Sequence, residues 1–482
     1  MKLYQILRKI DIKDNQFNRN ITDISIDSRK IERGNLFFLL EKRKKFGLIY
    51  LNDAIKRGAA AAVVPADYNF NNHLYDVPLI KSKNIREDLS FYSSIFYPNK
   101  PKTIVAVTGT NGKTSVVKYI QQIWDMMGIP CASIGTLGNS YYNYDNQLTT
   151  PDAADLHKQL DILKRNKIDN VALEASSHGL HQLRLDNIEF RGAAFTNISR
   201  DHLDYHKSMK SYFDSKKRLF SAILKPDSTA ILNINGIGKR YIKYLEDIKS
   251  QEIITIGDSS CTLNIQDITR TQSGKITLSI NINGQLISIK THFFADFQLM
   301  NSLIAAVLAS LDQRLTLIDC MKSIENLDYV SGRMEKVGKK DNSGEIYIDY
   351  AHTPNALNHS LKAMRKITKN RLLLVFGAGG DRDKGKRSLM REVAKKNADF
   401  VIVTDDNPRY ECPSKIRSQL MLKDRNFKEI AGRYEAINYA ISELKDGDNL
   451  IICGKGHEEY MAYKDQRVIF SDKKTVQSIL DK

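Results

Sequence analysis

The sequence predicts an α/β chain of three domains: a small N-terminal α/β domain at 1–101, a central P-loop-type ATPase sheet at 102–333 and a C-terminal Rossmann-like domain at 334–482. Three observations predict this. At about 150 residues per domain, 482 residues make roughly three. Apolar runs of strand length alternate with helix-period patterns from end to end, as in layered α/β folds. One such run, Thr103–Val107, feeds a glycine-rich turn that opens a helix.

In the first domain, Asp23–Asp27 and Leu36–Leu40 read as strands, a helix is predicted around Leu51–Arg57, and Ala60–Val64 reads as a further strand. Pro98 and Pro101 flank a short polar hinge. The strand Thr103–Val107 then starts the second domain, which runs to Ser331-Gly332-Arg333 and carries a β-rich insertion near 252–291 that alternates apolar and polar residues. From Met334, strands at 345–349, 371–376, 400–404 and 449–453 are separated by helical patterns, the spacing of a parallel sheet. No internal repeat or low-complexity tract is visible.

A composition of 42% hydrophobic and 27% charged residues, with 26 Gly and 10 Pro, excludes collagen-like, low-complexity and wholly disordered classes. No run approaches the ~18 apolar residues of a bilayer span. Charges interrupt Met1–Asp14, so neither a membrane span nor a secreted protein is expected. The five cysteines, at 131, 261, 320, 412 and 453, are scattered without a C-x-x-C pair, which fits a reducing cytoplasm. The balance of 73 Lys+Arg against 56 Asp+Glu, +17, would suit nucleic acid, anionic lipid or a phosphorylated small molecule. The lysines form no single block, so compositional drift is the favoured reading.

Val105-Ala-Val-Thr-Gly109-Thr110-Asn111-Gly112-Lys113-Thr114 follows a strand and opens a helix with apolar positions at 116, 117, 120, 123, 124 and 127. A phosphate cradle needs this context. Glycines let backbone N–H groups approach phosphate oxygens, Lys113 can neutralise the β- and γ-phosphates, Thr114 can reach magnesium, and the helix N-terminus adds a favourable field. Val107 stands where the longer G-x-x-x-x-G-K-[ST] pattern has its first glycine. ATP use is the expectation.

Two further clusters, Glu174-Ala-Ser176-Ser-His178 and Thr196-Asn-Ile-Ser-Arg200-Asp201-His202-Leu-Asp-Tyr205-His206, each follow a strand-like run and can converge at the same sheet end. Glu174 and His202 suit magnesium-linked phosphate chemistry, although a capping serine and a hydrogen-bonded loop histidine explain either cluster taken alone. In the helix from about Ser208, Met209, Tyr212, Phe213, Leu219 and Phe220 make one face, and Lys216 lies on it while Lys217 and Arg218 face outward. Spacing alone favours a lysine that snorkels to water. Three C-terminal strands end in polar loops at 377–385, 405–409 and 454–458. Arg382, Arg409, Asp406 and Glu458 there offer both signs of charge, as a zwitterionic amino acid requires, and solvated loops with surface ion pairs explain them equally well.

Together the motifs resemble the Mur ligase family over nearly the whole chain. The resemblance rests on Asp27-Ser28-Arg29, Thr108–Thr114, Thr149-Thr150-Pro151, Glu174–Leu180, Asn197–His206, Ser331–Glu335 and Asp349-Tyr-Ala-His352-Thr-Pro354. It implies an ATP-dependent amide ligase that phosphorylates a carboxylate on a UDP-muramoyl peptide and lets an amine displace phosphate. It points to meso-diaminopimelate addition to UDP-N-acetylmuramoyl-L-alanyl-D-glutamate in peptidoglycan synthesis, hence in cell-wall biogenesis, cell shape and division. Lys113, Glu174, His202 and Lys216 are implied as catalytic, with Thr114, Glu174, His202 and Lys216 around magnesium. Lys216 would be carbamylated by carbon dioxide to N6-carboxylysine, which reverses the snorkelling reading. Gly109, Thr110, Asn111, Gly112, Lys113, Thr114, Asn301, Arg333 and Asp349 fall at ATP positions, with His352 close by. Ser28, Thr149, Thr150, Ser176, Gln182 and Arg184 match muramoyl-peptide contacts. Arg382, Asp406, Asn407, Pro408, Arg409, Gly454 and Glu458 match the amine site, Arg409 pairing with the distal carboxylate of diaminopimelate.

The chain departs from the family at Leu40–Gly47, which replaces a glycine-rich loop, at Ala295-Asp-Phe-Gln298, and at Ser215. The alternatives are a lysine-adding or terminal-dipeptide-adding Mur ligase, a folylpolyglutamate-type ligase, or a nucleic-acid-stimulated P-loop ATPase. A cytoplasmic monomer acting on small molecules is expected, without nucleic acid, and with its C-terminal domain closing on the ATPase domain.

Overall fold

The computed structural model describes all residues except 8–16, 42, 69–74, 143–147, 246–247, 249, 251, 258–259, 272–274, 283, 341–343 and 482. Residues 8–14 of the charged N-terminal stretch, residue 42 of the divergent loop and parts of 252–291 therefore lie outside the described residues.

Among the described residues there are three main sheets, one after another along the chain. The first is β1 (Ile24–Ser25), β2 (Leu36–Phe38), β3 (Ala61–Pro65) and β4 (Leu79–Ser82), parallel in that order. The strand expected at Asp23–Asp27 shortens to two residues because Asp27 turns the chain, its carboxylate accepting from Arg29 N and capping a helical turn at Ser28–Lys30. The helix expected around Leu51 starts earlier, at Lys44.

The central sheet comprises β5 (Thr103–Thr108), β6 (Cys131–Gly135), β7 (Gly138–Asn139), β8 (Asn170–Glu174), β9 (Gly192–Phe195), β10 (Thr229–Asn233), β11 (Glu252–Gly257), β12 (Leu263–Arg270), β13 (Ile276–Ile282) and β14 (Gln285–Thr291). Its order is β14-β13-β12-β11-β10-β9-β5-β8-β6-β7. The inner strands are parallel and buried on both faces, which is why β5 reads as an unbroken apolar run. Val105 and Val107 pack with helices Lys113–Met126 and Asp296–Ala309, whereas Ile104 and Ala106 pack with Ala153–Arg165 and Met209–Arg218. The β-rich insertion expected near 252–291 forms β11 to β14 and extends this sheet. β11 pairs in parallel with both β10 and β12, and β13 and β14 follow outward in antiparallel pairing, β13 alternating buried and half-buried residues.

The third sheet runs β15-β16-β20-β17-β18-β19, from β15 (Glu335–Lys339), β16 (Glu345–Asp349), β17 (Leu372–Phe376), β18 (Phe400–Val403), β19 (Phe427–Glu429) and β20 (Asn449–Cys453). All its pairings are parallel except that of the edge strand β15. A hairpin of β21 (Tyr460–Tyr463) and β22 (Gln466–Ile469) follows. The short edge strands β15 and β19 and this hairpin lie outside the sequence expectation, since edge pairing leaves little apolar pattern. No helix among the described residues is long and apolar enough to cross a membrane.

Candidate active site

β5 lies between β9 and β8, so the three loops that follow these strands share one end of the sheet. These loops carry the phosphate turn, Thr196–His202 and Glu174–His178. Gly109 has φ +146°, and a Cβ there would sit 1.9 Å from Thr196 Oγ1; Gly112 has φ +89°, and its Cβ would sit 2.6 Å from Asn301 Oδ1. Only glycine fits either position. The turn is tied to its neighbour by Asn111 N donating to Asn197 Oδ1 at 2.9 Å and Thr110 N to Asn197 O at 2.9 Å.

Lys113 Nζ and Lys216 Nζ both donate to the Gly109 carbonyl, at 2.9 and 2.7 Å. Lys216 is 1% exposed and therefore does not snorkel; its helix turns the apolar face, and Lys216 with it, onto the phosphate loop. Burial, reinforced by the neighbouring Lys113, lowers the Lys216 amine well below the ordinary lysine range. Arg218 does not face outward either, because it grips Asp186 with both amino groups at 2.6 and 2.5 Å.

Glu174, at the end of β8, accepts from Thr136 N at 2.8 Å and from Thr136 Oγ1 at 3.1 Å; Thr136 Oγ1 in turn meets Thr149 Oγ1 at 3.1 Å. Thr150 Oγ1 lies 2.7 Å from the Glu174 carbonyl and 2.9 Å from Ser176 Oγ. Ser176 also caps the helix Ser177–His181, accepting from Gly179 N, so the structural explanation for that serine holds alongside any functional one. His202 stands in the left-handed region at φ 52°, its Nε2 3.4 Å from Asp201 Oδ2. Burial drives the imidazoles of His178 and His202 down to about 4 and about 3, so both are neutral at pH 7.

The C-terminal loops reach this centre. Arg200 pairs with Asp383 at 2.9 and 3.1 Å, Arg333 Nη2 lies 3.3 Å from Thr114 Oγ1, and His352 Nε2 faces Asp201 Oδ2 at 3.7 Å. Burial opposes ionisation of Asp201, but the facing histidines and the cation Lys386 hold its carboxyl well below the usual range. Asp349 accepts from Met334 N, Ala351 N and Ser360 Oγ at 2.8, 2.9 and 3.0 Å, which fixes the turn presenting Arg333.

In the crevice beyond β17, β18 and β20, Asn407 Nδ2 donates to Glu458 Oε2 at 2.7 Å and Arg409 Nη1 to the Gly380 carbonyl at 2.8 Å. Asp406 Oδ2 would lie 2.3 Å from a Cβ on Gly454. Asp406 and Asn407 are buried and Glu458 is 17% exposed, which departs from the solvated-loop reading. Among the described residues Arg409 has no carboxylate at ion-pair distance. Asp381, Asn407 and Arg409 all hold positive φ without being glycine, a strain that recurs at binding sites.

The sequence pattern of the Mur ligase middle domain matches residues 107–309, and that of the Mur ligase, glutamate ligase domain matches 332–456. A protein of Rhizobium meliloti (strain 1021) named UDP-N-acetylmuramoyl-L-alanyl-D-glutamate--2,6-diaminopimelate ligase is 39% identical over 469 residues, covering 95% of this chain and 94% of its own. The chain belongs to the Mur ligase family. A Rickettsia rickettsii relative of the same name is 37% identical over 96% of both chains. Among solved Mur ligases, a structure titled as that same enzyme superposes with a TM-score of 0.69 at 29% identity over 100% of this chain and 99% of that one. MurF ligase from Thermotoga maritima in complex with ADP shares the fold, with a TM-score of 0.63 at 16% identity, over 97% and 98%.

The structure thus gathers Thr108–Thr114, Glu174, His202, Lys216, Asn301, Arg333 and Asp349 around one Mur ligase phosphate loop, with Thr149, Thr150 and Ser176 joined to Glu174. Gln182 and Arg184 adjoin this group through the Thr150 carbonyl, 2.7 Å from Arg184 Nη1. Ser28 stays in the first unit, hydrogen-bonded to Asp53. Arg382 is exposed on its loop. Sequence reasoning missed Thr136, Lys386 and Arg86, which carry no motif, and took Lys455 only as part of the 454–458 loop. Lys455 is fully buried, its Nζ reaching Glu458 at 3.1 Å.

Proposed function

We propose that this chain is the ATP-dependent ligase that joins meso-diaminopimelate to UDP-N-acetylmuramoyl-L-alanyl-D-glutamate through an acyl phosphate, in the cytoplasmic stage of peptidoglycan precursor synthesis. The observation that carries this is the Asp406–Arg409 turn, whose Arg409 has no carboxylate at ion-pair distance among the described residues and donates to the carbonyl of Gly380, in the 377–385 loop that Asp383 ties to Arg200 of the loop beside the phosphate turn. The named relatives support the same reading.

The chemistry is activation followed by displacement. A carboxylate oxygen of the peptide attacks the γ-phosphorus of ATP and ADP leaves; the amine then attacks the acyl carbon and phosphate leaves, the lost proton passing to solvent. Both steps move negative charge past the phosphate loop, so positioning and neutralisation dominate. Lys113 meets the transferring phosphoryl group, Arg333 comes from the C-terminal side, and the loop N–H groups take phosphate oxygens. Thr149, Thr150, Ser176, Gln182 and Arg184 orient the muramoyl peptide, and Ser28 the uridine end. Arg409 takes the distal carboxylate of the amine substrate, while Asp406, Asn407 and Glu458 hold its ammonium and Arg382 and Gly454 complete the crevice.

Two additions fit the residues present. Lys113 and Lys216 share one carbonyl oxygen in a buried pocket, so one of the two amines is favoured in the neutral, carbon-dioxide-reactive form. A carbamate on Lys216 turns a repelling pair into an attracting one. The metal donor set is sparse: among the described residues no three His, Cys, Asp or Glu side chains gather into one metal-sized group. Thr114, Glu174 and carbamylated Lys216 offer oxygens with His202 beside them, which suits a small hard ion that retains water and phosphate ligands. Magnesium there would neutralise phosphate charge.

Phosphate release with ATP, magnesium and the UDP-muramoyl dipeptide, compared for meso-diaminopimelate, L-lysine and no amine, tests the reading. Release with diaminopimelate and a product heavier by that residue is expected. Preference for lysine overturns the role of Arg409, and hydrolysis stimulated only by DNA or RNA overturns ligation.

A further inference from the structure

Arg86 stands in the first turn of the helix Ile85–Phe96, in the N-terminal unit, yet its side chain leaves that unit. Its Nη1 donates to Gln182 Oε1 at 3.2 Å, and Arg184 Nη2 donates to the same oxygen at 2.7 Å. One neutral amide oxygen therefore holds two guanidinium groups together. Among the described residues neither has a carboxylate at ion-pair distance. Arg184 Nε is buried with no hydrogen-bond partner. The carboxyl group acting on both is Asp152, which caps the helix Ala153–Arg165, accepting from Ala154 N and Asp155 N. Burial and the adjacent Asp155 raise that carboxyl above the ordinary aspartate range.

Two half-buried like charges brought this close, with a buried donor left over, present a surface complementary to an oxyanion. The surrounding groups, Thr150 and Gln182, are those assigned above to the muramoyl peptide. We propose that Arg86 is a substrate-binding residue that, with Arg184, holds an oxyanion of the UDP-muramoyl dipeptide, so that the N-terminal unit grips the substrate beyond its uridine end. This rests on the function proposed above and adds to it a contact that no motif carries. The oxyanion is either a diphosphate oxygen or a carboxylate of the peptide, and substrate fragments separate the two.

The test uses the full chain with Arg86→Ala and Arg86→Lys. Arg86→Ala is expected to raise KM for the UDP-muramoyl dipeptide by about tenfold or more, with kcat and the KM for ATP and for the amine within about threefold; Arg86→Lys falls between. Calorimetric binding without ATP should weaken in parallel. Weakened binding of UDP alone assigns the diphosphate; unchanged UDP with weakened dipeptide, relative to the analogue lacking glutamate, assigns the carboxylate. Unchanged KM overturns the proposal, and so does a uniform fall in every parameter together with melting temperature, which would make Arg86 a tie between units. Should Arg86→Ala fail to fold, Arg86→Lys with normal KM overturns it as well. A wild-type protein that neither binds nor ligates the dipeptide overturns the functional reading itself; a ligating wild type matched by Arg86→Ala overturns only Arg86.

Discussion

Replacing Lys216 with alanine separates a structural lysine from a chemical one. The side chain is 1% exposed, its Nζ is 2.7 Å from the Gly109 carbonyl and 4.5 Å from the centre of the Tyr212 ring. Truncation removes one hydrogen bond, worth about 1 kcal/mol, and some stem packing, while relieving a buried amine that faces Lys113. These oppose one another, so the melting temperature should move by no more than about 5 °C. Activity answers to a different quantity. A preorganised charge lost from the transition state costs about 3–4 kcal/mol, a fall of about 10²–10³ in kcat. The assay is phosphate release at saturating substrates, with thermal unfolding followed by circular dichroism on the same preparation. Wild-type protein equilibrated with ¹³C-bicarbonate should show a carbamate carbon by NMR that the variant lacks. Formate, small enough for the vacated space, should restore part of the rate. A variant within about threefold of wild type, or one whose activity loss follows its unfolding, refutes the reasoning.

Arg409→Ala should lower kcat/KM for meso-diaminopimelate by about 10- to 100-fold, the value of a charge-assisted pair, while sparing the ATP KM; equal losses for diaminopimelate and lysine would contradict a carboxylate contact. Gly112→Ala places a Cβ 2.6 Å from Asn301 Oδ1 in a backbone at φ +89°, so nucleotide affinity measured by titration should fall by about tenfold or more, and retained affinity would show that the loop relaxes. His157 is fully buried, and burial holds its imidazole down at about 3. The unfolded chain takes up that proton near 6.5 and the folded chain only near 3, so stability is whole above about pH 6.5 and falls as pH drops, by about 1.4 kcal/mol per pH unit for this group. His157→Gln should flatten the melting temperature between pH 7 and 5 relative to wild type; parallel curves would exclude the histidine. Ligand binding should contract the small-angle scattering profile as the C-terminal unit closes across the Arg200–Asp383 pair, and superimposable profiles would exclude closure.

The phosphate loop was legible because its strand, glycines, lysine and helix are contiguous, and the crevice beyond β17, β18 and β20 because parallel strands bring their carboxyl ends to one side. Lys216 was only half legible. Helical period puts it on the apolar face, but the carbonyl it meets comes from a residue 107 positions away. The edge strands β15 and β19 escaped because one-sided pairing leaves no apolar run.

By itself, the sequence determined the family, the three-sheet α/β plan and the identity of the motif residues, since these depend on local pattern and spacing. Only the tertiary structure decided that Lys113 and Lys216 share the Gly109 carbonyl, that Asp201 faces His352, and that Arg86 joins Arg184 on Gln182 across 96 residues of chain. The physical reason is that burial and charge pairing depend on what folds against a side chain, and neither periodicity nor composition records that partner.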